Sequence, residues 1–324
     1  MTNILILSAG RRVELVERFK QARERLAIDG NIVALDISKT APAIHFADKY
    51  YIIPRIFDEN YIDSLIDICN KENIDLIVPT IDTELMKLAE NREIIENKTN
   101  SKLLLSNIDV INTCCDKNNT QIFFEENGFG APKRLSDEDI EKGEYLFPLF
   151  IKPKNGSSSV NAFKIKNKSE LDFFINYIDE PIVQNFVEGT EYSVDVFCDF
   201  ESHPITIVPR IRLATRGGEI AKGKIVKDKE IICDIKRLVN ILKPIGHITV
   251  QCMKTAKGIE YIEINPRFGG GAPMSIDAGA DSCENLYRLL NGEVLNYNED
   301  YLENTVFVRF DNSIMLNEDM ERIK

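Results

Sequence analysis

Along the first third of the chain the apolar positions follow two patterns in turn. Short continuous apolar runs at Asn3–Leu7, Ile32–Leu35, Tyr51–Ile53, Asp75–Val78 and Lys102–Leu105 predict strands. Between them, apolar residues at helical spacing predict helices over Arg11–Leu26, Tyr61–Cys69 and Thr83–Ala89. Strands that alternate with helices predict a parallel, doubly wound α/β sheet, which binds ligands at the carboxyl ends of its strands. Those ends carry Ser8–Arg12, Asp36 and Pro79–Glu84. Arg11 and Arg12 could hold a carboxylate or phosphate at a helix N-terminus, or be solvated. Asp82 and Glu84 are either a substrate-facing pair or a helix-start acid beside a solvated one.

The pattern then changes. Helices are expected over Asn107–Thr113 and Asp116–Asn127, and a strand over Leu149–Lys152. The small-residue stretch Lys154–Val160 follows, and reads as a phosphate-approaching loop or as a flexible turn. Next come a strand Asn161–Ile165, a helix Lys168–Tyr177, and an apolar strand from Pro181 that bends at Gly189 into a strand Glu191–Phe197. Pro204–Arg212 is strand-like, with Arg210 and Arg212 on one outward face. A loop and strand follow over Arg216–Val226, then a helix Cys233–Leu242, a hairpin of Thr249–Met253 and Ile259–Ile264, a helix Asp281–Leu290 and a strand Thr305–Phe310.

Composition narrows the class. A chain of 324 residues, 44% hydrophobic and 28% charged, is expected to be a soluble globular protein. Its net charge of −12 argues against binding nucleic acid or anionic membranes, and no apolar run is long enough to span a bilayer. No signal-like segment opens the sequence, so a cytoplasmic location is expected. Seven cysteines without CxxC spacing read as reduced thiols, and three isolated histidines argue against zinc.

The hairpin carries the candidate chemistry. Residues two apart in a strand share a face, so Glu263 and Asn265 project together. A turn centred near Lys257 places Gln251 directly across from Glu263. Three oxygen-bearing side chains with one charge suit Mg²⁺ shared with substrate phosphates, and Arg267 beside them suits a phosphoryl oxygen. Glu-Ile-Asn alone could be the polar face of any hairpin. The full run Glu263–Gly271, EINPRFGGG, is less ordinary.

This run resembles the metal-binding end of the ATP-grasp superfamily, in particular its carbamoyl-phosphate-synthase-like branch. The resemblance spans roughly Asn3 to Phe310. It implies a parallel N-terminal domain (1–106) followed by an ATP-grasp domain (107–324), with a lid at about 116–187 and a catalytic sheet at about 188–310. It also implies ATP with Mg²⁺, Mn²⁺ being an alternative ion. Lys117, Lys152 and the loop Gly156, Ser157, Ser158 and Ser159 would reach the phosphates. Gln184 and the backbone of Asn185, Phe186 and Val187 would face adenine, and Glu191 would hold the ribose. Gln251, Glu263 and Asn265 would hold the metal, with Arg267, Lys152 and Arg210 at the reacting groups. The activity implied is ADP-forming ligation of a small-molecule carboxylate to an amine through an acyl phosphate. No nucleic acid or membrane partner is expected, and a homodimer is allowed. Only one unit is visible, which argues against carbamoyl phosphate synthesis itself. The alternatives are a non-catalytic ATP-binding regulator and, on the first strand and turn only, a nicotinamide oxidoreductase. The single glycine of that turn, Gly10, speaks against the latter.

Overall fold

The computed structural model describes residues 1–154 and 160–323. The first third forms β1 (Ile4–Ile6), α1 (Val13–Arg25), β2 (Ile32–Asp36), β3 (Lys49–Ile52), α2 (Tyr61–Glu72), β4 (Leu76–Val78), α3 (Asp82–Glu90), α4 (Arg92–Lys98) and β5 (Lys102–Leu103). The five strands are all parallel, in the order β3-β2-β1-β4-β5. The order reverses between β1 and β4, so their following loops meet at one crevice. Ile4 and Ile6 enter one core cluster while Leu5 and Leu7 enter another. Both faces of β1 are therefore covered, which explains a continuous apolar run rather than an alternating one.

The chain continues with α5 (Ile108–Cys115), α6 (Lys117–Glu126) and α7 (Asp137–Lys142). A small antiparallel sheet follows, made of β6 (Leu149–Pro153), β7 (Phe163–Ile165) and β8 (Pro181–Asn185), with α8 (Lys168–Tyr177) between the last two strands. Leu149, Ile151, Ile165, Leu171, Ile178 and Val183 give this lid a core of its own. Of the helices up to α8, the short α4 and α7 are not among those expected. The signal for α7 was present: the Ser136 hydroxyl caps the Asp139 N–H, and the Asp139 carboxylate returns to the Ser136 N–H.

The last unit is a six-stranded sheet. It contains β9 (Thr190–Cys198), β10 (Pro204–Arg216), β11 (Glu219–Ile225), α9 (Lys229–Leu242), β12 (Gly246–Thr255), β13 (Gly258–Asn265), α10 (Ala272–Asp277), α11 (Ser282–Leu290) and β14 (Val306–Val308). The strand order is β13-β12-β9-β10-β11-β14, antiparallel throughout. Helix α9 begins a turn before the expected Cys233, because the Asp228 carboxylate accepts from the Ile231 N–H at 3.3 Å. One sheet face, with Val194, Val196, Ile248, Val250 and Ile264, packs in the same cluster as Ile231, Ile235, Leu238 and Val239 of α9. The alternate residues are forced to the opposite face, where the polar side chains lie.

Helices α10 and α11 do not stay with this sheet. Phe268, Ala272, Ile276, Leu286 and Tyr287 join Ile4, Ile6, Val16 and Phe19 in one cluster, so the two larger units share a core. All seven cysteines are free thiols. Among the described residues no helix is long and apolar enough to cross a membrane.

Candidate active site

The hairpin register is the one expected: Gln251 lies opposite Glu263, and Thr249 opposite Asn265. Gln251 Nε2 donates to Glu263 Oε1 at 2.6 Å, and Asn265 Nδ2 donates to the same oxygen at 3.1 Å. Both amides thus orient one carboxylate. Glu263 Oε2 and Gln251 Oε1 have no donor among the described residues. Two free oxygens on one carboxylate and one amide, with the second lone pair of Asn265 Oδ1, fit a hard cation that keeps waters and phosphate ligands. Among the described residues no group of three or more His, Cys, Asp or Glu side chains is placed to hold a metal. A cation here would accordingly meet amide oxygens and a single charge.

Across from this row stands the lid. Lys152, at the end of β6, and Lys117, at the start of α6, both face Glu263. Lys117 Nζ donates to the Pro153 carbonyl at 2.9 Å, while Lys152 Nζ has no acceptor among the described residues. Burial, and then the neighbouring Lys117 charge, bring the Lys152 ammonium down to about 8. Arg134 donates to Asn118 Oδ1 and to the Lys117 carbonyl, which fixes the turn that carries Lys117. Nothing in the sequence marked Arg134 for this. The expected phosphate loop, Gly156, Ser157, Ser158 and Ser159, lies outside the described residues.

In the hinge, Gln184 is buried and pairs across β6 with Phe150. The backbone donors are only partly available. The Asn185 N–H donates to Lys133 O at 2.9 Å and the Phe186 N–H to Pro148 O at 3.2 Å. The Val187 N–H has no acceptor among the described residues, so it is the hinge donor left for a ligand. Glu191 is half exposed, and its carboxylate lies 3.1 Å from Arg212 Nε. Arg212 also donates to Gly218 O at 2.8 Å, tying Glu191 to the β10–β11 turn.

Arg210 requires a correction. Arg210 and Arg212 do share a face, but Arg210 is 1% exposed and does not point to solvent. Its Nε and Nη2 grip the two oxygens of Asp195 at 2.7 and 2.9 Å. Thr249 Oγ1 donates to the same carboxylate at 3.0 Å, and Ser275 Oγ does so at 2.5 Å. Burial alone would raise the Asp195 carboxyl; Arg210 and His247 instead hold it far below the usual carboxylate range. The backbone of Gly271 covers the arginine. A Cβ at that position would sit 2.6 Å from Arg210 Nη1, so only glycine fits. No face of Arg210 is left for a reacting carboxylate. It braces the glycine loop from below.

Arg267 leaves the hairpin and reaches the first sheet. Its Nε donates to Asp82 Oδ1 at 3.0 Å and its Nη2 to Asn265 Oδ1 at 3.0 Å, with Nη1 on Phe268 O at 3.2 Å. Asp82, at the start of α3, is thereby joined to the oxygen row. Glu84 is neither substrate-facing nor solvated. It is fully buried and accepts from Ser8 Oγ at 2.6 Å and from the N–H groups of Thr80 and Ile81. Asp36 is likewise occupied, because its Oδ2 accepts from the Gly10 N–H at 2.8 Å and closes the β1–α1 turn. An acid tied up in that turn is not placed to hold the ribose of a dinucleotide.

Residues 114–271 match the family model of the ATP-grasp domain, and residues 4–103 that of the PylC-like N-terminal domain. The chain thus carries an ATP-grasp domain behind a PylC-like N-terminal domain. It is 25% identical over 169 residues to a carbamoyl-phosphate synthase of Methanobrevibacter smithii, a match spanning 51% of this chain and 45% of that protein. It is 24% identical over 192 residues to D-alanine–D-alanine ligase B of Clostridium perfringens, across 52% of this chain and 63% of that one. These matches span less than two thirds of either relative's length. The fold is similar to that of N5-carboxyaminoimidazole synthetase from Staphylococcus aureus complexed with ADP. The TM-score is 0.75 at 18% identity, covering 98% of this chain and 83% of that one.

Proposed function

We propose that this chain is an ATP-dependent, ADP-forming ligase that joins a small-molecule carboxylate, a metabolite or amino acid, to an amine. The observation that carries the reading is the facing of Glu263, Gln251 and Asn265 on the catalytic sheet by Lys117 and Lys152 on the lid side. Similarity to a D-alanine–D-alanine ligase supports it. In this reading residues 1–106 form the N-terminal domain and 107–324 the catalytic domain. The substrate carboxylate attacks the γ-phosphorus of ATP, the bond to the bridging oxygen breaks, and ADP leaves. The amine then attacks the acyl phosphate, inorganic phosphate departs with the C–O bonding pair, and the nitrogen loses its proton. Lys117 and Lys152 neutralise charge on the transferring phosphoryl group, and the Val187 N–H with Glu191 orients adenosine. Bound at Gln251, Glu263 and Asn265, Mg²⁺ would add charge neutralisation and a fixed phosphate geometry. The test is ADP release across a panel of carboxylic acids and amines. Sustained release is expected only with a matching pair. MgADP binding without turnover on any pair would instead make the chain a nucleotide-binding regulator.

Two outcomes check the nucleotide contacts. Glu191→Ala is expected to raise KM for ATP more than it lowers kcat, because a ribose contact is the same in ground and transition states. A collapse of kcat at unchanged KM would give Glu191 another role. Lys152 adds a pH dependence. Its ammonium sits at about 8 in the free protein, and nearby phosphate oxygens raise it. Binding therefore takes up a proton once the pH exceeds that value, so affinity for MgADP falls as pH rises through it. The decline approaches about tenfold per pH unit. Calorimetry across that range should show the slope, and Lys152→Arg, which keeps its charge, should flatten it. An unchanged slope in the variant would remove Lys152 from the phosphates.

A further inference from the structure

Around the crevice between the first sheet and the glycine loop, arginines come with carboxylates. Arg267 has Asp82, Arg210 has Asp195, Arg212 has Glu191, and Arg309 has Glu219 and Glu14. Arg11 and Arg216 share Asp311 at the solvent edge, and the Arg11 side chain is 86% exposed. Arg12 is different. It follows the β1 turn at the N-terminus of α1 and is partly buried. Its Nη2 donates to the Thr80 carbonyl at 2.6 Å, and among the described residues no carboxylate lies within 4.0 Å of it. Burial and the Arg267 charge lower its guanidinium to about 10. A largely buried cation with no carboxylate in direct contact is costly, and a bound anion would relieve that cost.

We infer that Arg12, not Arg11, anchors the carboxylate of an α-amino acid in this crevice, and that this carboxylate is not the one phosphorylated. The inference rests on the ligase reading and adds the class of one substrate. Two arguments fix the class and the role. Arg12 faces Asp82, Glu84 and Glu219 as well as Arg267. A phosphate dianion would meet three acids here, whereas a zwitterion places one negative charge on Arg12 and its ammonium beside Asp82 and Glu219, which it would share with Arg267 and Arg309. Glu84 is closed off by its own hydrogen bonds. Glu219 stands under Gly270, where a Cβ would be 3.2 Å from its carboxylate, so the glycine leaves that acid room beside the crevice. As for the role, a carboxylate due for phosphorylation must reach the Glu263 row. Lys117 and Lys152 face that row, while Arg12 is held on the Thr80 carbonyl beyond the end of β4, with Arg267, Glu219, Asp82 and Glu84 as its charged neighbours. The amino acid held by Arg12 is therefore the one that supplies the amine.

The test uses the whole chain and binding readouts. Thermal shift and calorimetry are run with the common L- and D-amino acids, with the matching amino-acid amides, and with inorganic phosphate, each in the presence of MgADP. At least one amino acid is expected to bind, and its amide to bind about 10–100-fold more weakly, as for loss of a charge-assisted hydrogen bond. Arg12→Gln is expected to weaken that amino acid by a similar factor and leave MgADP affinity unchanged, with Arg12→Lys in between. Should Arg12→Gln fail to fold, the comparison of acid with amide in the unaltered protein still decides. Equal binding of acid and amide, no amino-acid binding at all, an unchanged affinity in folded Arg12→Gln, or competition by inorganic phosphate alone would each overturn the proposal. Arg12-dependent amino-acid binding without ADP release on any pair would leave the subsite standing and sink the ligase reading instead.

Discussion

Glu263→Gln is expected to lower turnover on the order of 10²–10³-fold, with folding and most nucleotide affinity retained. Glu263 is the one carboxylate in its row. Gln251 and Asn265 both donate to its Oε1, so neither amide substitutes for its charge. A glutamine keeps the size and an acceptor oxygen, and loses the negative charge that balances Lys117, Lys152 and a divalent cation. The change therefore acts where charge moves, in the transition state, and leaves the Val187 hinge and Glu191 untouched. ADP release at saturating Mg²⁺ measures it, with a thermal melt as the control for folding. Near-normal turnover would remove Glu263 from the chemistry.

Asp195→Ala is expected to destabilise the chain by about 3–5 kcal/mol, the effect of leaving a buried charge without its partner. Arg210 is enclosed by the sheet, by Met274 and by Gly271, and has no route to water. The same substitution also removes the acceptor of Thr249 and Ser275. The double variant Asp195→Leu with Arg210→Met removes both charges and should recover most of the loss, since well-packed apolar replacements of buried pairs are often neutral. Urea unfolding of the three proteins measures this. The sign with pH is defined as well. A carboxyl held low in the folded state contributes stability above its unfolded value, and that contribution is lost only as the pH falls toward the folded value. If Asp195→Ala costs less than about 1 kcal/mol, the pair is not the brace under the glycine loop.

The sequence was most legible where local periodicity decides the outcome. The parallel sheet, helix α8 and the pairing of Gln251 with Glu263 all follow from period and turn position. Arg210 was misread because a period of two assigns a face, not what covers it. The cover is Gly271, a residue that the chain brings back only after three more strands. Glu84 was misread for a related reason. Its burial depends on Ser8, across the neighbouring strand end. The Arg267–Asp82 pair joins distant segments, and no local pattern announces such a contact.

The core that Ile4 and Ile6 share with Phe268, Leu286 and Tyr287 bears on the order in which the protein is made. During synthesis the first sheet emerges early, and α2 and α3 can cover one of its faces at once, through Leu65, Leu85 and Leu88. On the other face α1 is available, but α10 and α11 are nearly the last helical segments translated. Half-clad apolar strands must therefore wait for the C-terminal helices. The N-terminal sheet, though continuous in sequence, completes its folding only when the glycine loop and the two helices after it arrive, so the substrate crevice and the finished core come into being together.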